Sequence, residues 1–196
     1  MLREKLKDHR IILASGSPRR HQFFNELDIP YIIDIRPVKE HYPGSLKGSE
    51  ITNYLSELKA KVFQKELKEN DILITSDTIV WHNEKALGKP ETPTKAFKML
   101  ESLSGATHKV ITSVTFTTPG YQKTVHSTTA VTFKKLSKEE MDYYIQNYDP
   151  LDKAGAYGIQ EWIGLIGISR IEGSYFNVVG LPTHMVYKTL LEIASR

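Results

Sequence analysis

The densest run of chemically useful groups is Leu13-Ala14-Ser15-Gly16-Ser17-Pro18-Arg19-Arg20. A short Ser/Gly turn before a helix start leaves backbone N–H groups and the positive end of a helix dipole facing outward, which suits an anion. Two adjacent guanidinium groups match phosphate oxygens in the same place. The run equally fits a capped helix with solvated arginines, and the spacing of a P-loop is absent. Farther on, Ser76-Asp77-Thr78 follows an apolar stretch. A carboxylate at a strand end, ionised at neutral pH with an ordinary pKa of ~3.9, can orient or deprotonate water or hold a metal. It can also simply cap a turn. Leu87-Gly88-Lys89-Pro90 offers a compact cation beside a glycine, or an ordinary turn. Residues 152–160 (Asp-Lys-Ala-Gly-Ala-Tyr-Gly-Ile-Gln) and 173–182 are Gly-bounded stretches, suited to a pocket wall or to plain connections.

These groups need elements to place them. Residues 10–15 predict a short buried strand, and Pro18 opens a helix over 19–27 that Asp28-Ile29-Pro30 ends. Residues 31–35 predict a second strand and 36–48 a polar loop. Ile51, Leu55, Leu58 and Val62 recur at helical spacing and predict one long helix over 49–68. Residues 71–75 predict a buried strand. Thr92-Pro93 opens a helix that Gly105 stops. Residues 108–118 and 121–133 read as a long antiparallel hairpin around Pro119-Gly120. Ser137-Lys138-Glu139-Glu140 is a capping box for a helix to about residue 147. A strand over 164–171 and a final helix after Pro182 complete the chain. Alternation of strands and helices, with a hairpin added, argues for a mixed α/β fold.

The composition bounds the function. At 196 residues, 40% hydrophobic and 25% charged, the chain suits one globular domain, 1–196. No apolar run is long enough for a transmembrane helix, and the charged N-terminus lacks signal-peptide features, so a cytoplasmic protein is expected. Without cysteine, disulfide and thiolate chemistry are excluded, and a metal must bind through Asp, Glu or His. The seven histidines show no metal-ligand spacing. A net charge of +3 fits an anionic substrate, and no basic cluster suggests nucleic acid.

Taken together and in this order, the segments resemble the Maf family of nucleotide pyrophosphatases. The resemblance rests on residues 13–20, on Ser76–Val80 and Gly88-Lys89-Pro90, and on Leu103-Ser104-Gly105 with His108 and Val110. Asp152-Lys153-Ala154-Gly155 and Gly180-Leu181-Pro182 complete it. It implies a mixed twisted α/β sheet flanked by helices, two-lobed with a substrate cleft, like inosine triphosphatase. It also implies hydrolysis of a nucleoside triphosphate to the monophosphate and pyrophosphate, with Mg²⁺ or Mn²⁺ and room for a homodimer. By resemblance Asp77 is the general base, and Ser15, Ser17, Arg20, Lys59 and Lys89 hold phosphates. Arg19 joins that grip, and Glu40 joins Asp77 near the metal. Arg19, Thr78 and Gln160 resemble the specificity set of the dTTP/UTP branch. A glutamine amide can accept from the N3–H of uracil or thymine while donating to a ring carbonyl, the opposite of what cytosine requires. The alternatives are a pyrophosphatase for 7-methyl-GTP or modified nucleotides, and a nucleotide-binding regulator of cell division with little catalysis. His21-Gln22-Phe23-Phe24, Ser56 and Glu161 depart from the family's more usual leucines, alanine and glycine.

Overall fold

A computed structural model describes residues 1–195. The elements run α1 (Leu2–Lys5), β1 (Arg10–Leu13), α2 (Pro18–Glu26), β2 (Ile32–Ile33), α3 (Ser49–Lys61), β3 (Asp71–His82) and β4 (Lys85–Leu87). They continue with α4 (Pro93–Leu103), β5 (Thr107–Thr118), β6 (Tyr121–Phe133), α5 (Lys138–Tyr148), α6 (Trp162–Gly167), β7 (Ile168–Glu172), α7 (Tyr175–Val179) and α8 (Thr183–Ile193). Two 3-10 turns, Pro150–Asp152 and Ala154–Ala156, lie between α5 and α6. The strands form a mixed seven-stranded sheet in the order β2-β1-β3-β5-β6-β7, with β4 beside β3. β1 pairs in parallel with β2 and β3, whereas β4 and β7 pair antiparallel with β3 and β6. The expected mixed α/β class is thus what the chain adopts.

The chain divides into two compact units. The first comprises Met1–Asp77, Thr112–Ser127 and the stretch from Gly180 onward; the second comprises Thr78–Ile111 and Thr128–Val179. In the first, Ile12, Leu73, Ala60 and Phe63 bury one another where α3 covers β1 and β3. In the second, α4 turns Ala96, Leu100 and Leu103 inward at helical spacing. They meet Val110, Val131 and Met141. Each fully buried leucine contributes about 1.5–3 kcal/mol.

Local chemistry explains the helix starts. Thr92 accepts from the Lys95 N–H at 3.2 Å, with Pro93 in the first helical position. Ser137 and Glu140 bond reciprocally, at 3.1 and 2.8 Å, in the predicted capping box.

Before β1 the N-terminus forms α1, with Leu2 and Leu6 buried. Three expectations need correction. The long helix ends at Lys61 rather than residue 68. There the buried Phe63 ring lies under the Arg36 guanidinium, Arg36 takes the Val62 carbonyl at 3.0 Å, and Glu66 pairs with Arg36. The strand expected over 71–75 runs on to His82, since Val80–His82 pair with β4 across Asn83-Glu84, both at positive φ as tight hairpins require. The strand expected over 164–171 begins only at Ile168. Residues 162–167 are helical, with Gly164 and Leu165 N–H groups bonded to the Glu161 carbonyl. A Cβ at Gly164 would lie 1.8 Å from the Ile159 carbonyl oxygen, so only glycine closes that turn.

Candidate active site

In the first unit the site grows from the C-terminal end of β1, where α/β folds place ligands. The last β1–β3 pair is Leu13 with Ile74, so Asp77 lies three residues past it on β3. Asp77 is therefore within a long strand rather than at its end, but it stands beyond the reach of β1. Residues 14–17 leave β1 and enter α2, with Ser17 as N-cap and Pro18 in the first helical position. Ser15 is buried, and its hydroxyl receives the Ser17 N–H at 3.2 Å and Arg20 Nη1 at 3.4 Å. Arg19 and Arg20 sit side by side on the first turn, both half-buried. Arg20 Nε donates to the Gly180 carbonyl at 2.9 Å and Nη1 to the Ser76 carbonyl at 3.1 Å. Burial lowers this guanidinium to about 10, opposed by the attraction of Asp77.

Asp77 is 7% exposed. Lys59, in the last turn of α3, donates to Asp77 Oδ1 at 2.7 Å and lies 3.2 Å from Glu40 Oε1. Burial raises the Asp77 pKa, Lys59 and Arg20 hold it back, and the Glu40 charge adds to the rise. One ammonium thus bridges two carboxylates. Among the described residues no group of three or more His, Asp or Glu is arranged around a metal. Asp77 and Glu40 nevertheless supply carboxylate oxygens of the kind a hard divalent cation takes.

The position of Lys59 depends on hydroxyl contacts between α3 and the sheet, which sequence reading missed. Thr75 Oγ1 donates to the Ser56 carbonyl at 2.7 Å. Ser56 Oγ meets Thr115 Oγ1 at 2.8 Å, and Thr52 Oγ1 meets Ser113 Oγ at 2.6 Å. Thr52 and Ser56, four apart among the buried positions of α3, were the available signal. Paired hydroxyls in a buried interface are directional, so they set the height of a helix where apolar contacts alone permit sliding.

The other expected site residues belong to the second unit. Thr78 is half-buried, whereas Lys89 and Gln160 are exposed. Lys89 follows β4, and the neighbouring Gly88 carbonyl receives the Gly155 N–H at 3.0 Å. Gly155 requires its residue type, with φ +72° and Val80 Cγ2 2.7 Å from where a Cβ would stand. Gln160 occupies the turn before α6. Just before it, Tyr157 is buried and hydrogen-bonded to His108 Nε2 at 2.7 Å. The structure therefore gathers Ser15, Arg20, Glu40, Lys59 and Asp77 within the first unit, with Ser17 and Arg19 on the adjoining turn. Thr78, Lys89 and Gln160 lie in the second.

Comparison with known proteins agrees with this architecture. Residues 10–193 match the family model described as Maf-like protein. A protein of Christiangramia forsetii named dTTP/UTP pyrophosphatase is 62% identical, with all of both chains aligned. Relatives of the same name from Flavobacterium johnsoniae and Bacteroides fragilis are 60% and 46% identical over 97% and 96% of this chain, and 98% of each relative. The Ham1 protein of Staphylococcus aureus shares the fold, with a TM-score of 0.50 at 16% identity over 94% of this chain and 99% of that one. No helix among the described residues is long and apolar enough to cross a membrane. The chain belongs to the Maf-like protein family.

Proposed function

We propose that the chain hydrolyses nucleoside triphosphates, dTTP and UTP foremost, to the monophosphate and pyrophosphate, and so cleanses nucleotide pools. The observation that carries this reading is the buried Asp77 carboxylate, held by Lys59 beside Glu40 and Arg20. Its raised pKa brings a carboxylate towards the operating pH, where a general base works best. The names of the full-length relatives supply the substrate class.

In the proposed reaction, water attacks the α-phosphorus and the bond to the β-phosphate's bridging oxygen breaks. Pyrophosphate leaves, and the proton of the attacking water passes to Asp77. Lys59, Lys89 and Arg19 would offset developing charge on the phosphates, with Ser15 and Ser17 shaping the turn before α2. Arg20, whose Nε and Nη1 bond to main-chain carbonyls, holds Ser76 and therefore Asp77 in place. A divalent cation, Mg²⁺ or Mn²⁺, would be held by Asp77 and Glu40 and would supply neutralisation of phosphate charge. Thr78 and Gln160 read the base, together with Arg19.

The test is pyrophosphate release from dTTP, UTP, CTP, GTP and 7-methyl-GTP, wild type beside Asp77→Asn. Release led by dTTP and UTP, falling at least ~100-fold in a folded variant, is the expected result. Near-normal turnover of Asp77→Asn would remove Asp77 from the base role. A lead for 7-methyl-GTP would move Gln160 from specificity to structure.

A further inference from the structure

Gln160 is exposed, and its side chain has no hydrogen-bond partner among the described residues. A neutral amide discriminates between bases only if one orientation is favoured, so its backbone must be held from below. Residues 158–161 form a tight turn in which the Glu161 N–H bonds the Gly158 carbonyl at 3.0 Å. Glu161 is the N-cap residue of α6, yet its side chain makes no cap hydrogen bond to that helix. The carboxylate instead folds back across the turn and lies against Gly158, where a Cβ would come within 2.8 Å of its carboxyl carbon. There Oε2 accepts from the Tyr144 hydroxyl, and Oε1 is 3.2 Å from Lys153 Nζ. The same Tyr144 hydroxyl accepts the Gly158 N–H at 2.9 Å. Tyr144 is fully buried on α5, and the Lys153 side chain is only 8% exposed. Burial and the Glu161 charge keep the Tyr144 phenol protonated, so it remains a donor. The turn is thereby tied at both ends to one hydroxyl, with a buried ammonium closing the ring of charge.

We infer that Glu161, with Tyr144 and Lys153, is a positioning clamp that sets base selectivity by fixing the turn carrying Gln160. The inference rests on the proposed pyrophosphatase reading for its assay, and on the turn's own geometry for its structure. A hydrogen bond of ordinary strength is worth about tenfold in discrimination.

The experiment compares wild type with Glu161→Ala, Glu161→Gln, Tyr144→Phe and Gln160→Ala. Steady-state kinetics on dTTP and CTP are combined with amide hydrogen exchange of residues 158–162. In Glu161→Ala and Tyr144→Phe the kcat/KM preference for dTTP over CTP falls about tenfold, through a higher KM for dTTP more than a lower kcat. Exchange of the turn amides accelerates while those of α5 keep their protection. Glu161→Gln, which still offers Tyr144 an acceptor, loses less of the preference than Glu161→Ala. An unchanged preference in both Glu161→Ala and Tyr144→Phe, with only a lower melting temperature, would reduce the trio to a structural contact and overturn the inference. Unchanged exchange of the turn would overturn it without reference to activity. Gln160→Ala separates the two readings: if it leaves the preference intact while Glu161→Ala abolishes it, the clamp stands and the glutamine's part in reading the base falls.

Discussion

His108 offers a measurable consequence of burying a titratable group in the second unit. It is 2% exposed, stacked on Phe133, with Nε2 bonded to the Tyr157 hydroxyl at 2.7 Å. Burial holds the Tyr157 phenol protonated, so it donates to Nε2 in one ring tautomer and accepts from Nε2–H in the other. Nδ1 has no partner among the described residues. Burial, and secondarily His82, lowers the His108 pKa from 6.5 to about 4. The unfolded chain therefore binds the extra proton first as pH falls. Stability from this group is complete above pH 6.5 and is lost between 6.5 and 4. At 1.36 kcal/mol per pH unit, the whole window corresponds to about 3 kcal/mol, of which about 2 is lost by pH 5. Urea unfolding from pH 8 to pH 4.5 measures it, with the double variant His108→Leu/Tyr157→Phe as reference. That variant removes both polar partners, so no orphaned hydroxyl confuses the comparison. Its stability should fall by about 2 kcal/mol less than wild type between pH 8 and pH 5. Parallel curves would show that His108 does not titrate as its burial requires.

Three further outcomes follow from the same reasoning. Lys59→Met leaves the buried Asp77 carboxylate beside Glu40 without its bridging ammonium. It should cost about 3–5 kcal/mol in urea unfolding or force Asp77 to take up a proton, and turnover should fall with it. Gly155→Ala sets a methyl at positive φ against Val80 and should destabilise by more than about 1 kcal/mol, read as a lower melting temperature. Arg20→Lys loses the planar fork that reaches Gly180, Ser76 and Ser15 together. Its stability should fall by about 1–3 kcal/mol, with kcat affected more than KM; a raised KM at unchanged stability would make Arg20 a substrate contact instead.

Periodicity and punctuation made much of the fold legible. Thr92-Pro93 and the Ser137–Glu140 box announce α4 and α5 because capping is local chemistry. The errors fall where distant contacts decide. Nothing near Phe63 in the sequence shows that Arg36 will cap the Val62 carbonyl and end α3. The apolar run Ile163–Ile168 suits a strand until the Ile159 carbonyl demands a glycine at 164. Asp77 stands out as a carboxylate within an apolar stretch, but its pairing with Lys59 joins residues eighteen apart. The family resemblance supplied Lys59 and Glu40; spacing alone did not. Glu161 was visible only as an odd charge beside Gln160, because its partner Tyr144 lies on another helix.

In the proposed reaction the two units would meet different physical problems. A triphosphate is dense charge, and groups that meet it must keep charge in a partly desolvated place. The first unit does this by burying Asp77 only in company, with Lys59 and Arg20 offsetting the desolvation and Glu40 sharing the ammonium. A pyrimidine edge is neutral, and its hydrogen bonds are individually weak, so recognition depends on where a donor and an acceptor stand. The second unit leaves Gln160 itself exposed and ties the turn that carries it to the buried Tyr144 hydroxyl, through the Gly158 N–H and the Glu161 carboxylate. Charge is stabilised by neighbours that touch it, whereas orientation is stabilised by the backbone that carries it. Residues that govern turnover should therefore touch Asp77 or, like Arg20, hold the backbone that carries it. Residues that govern base choice should extend to side chains, such as Tyr144, that are buried beneath the turn and present no surface to a substrate.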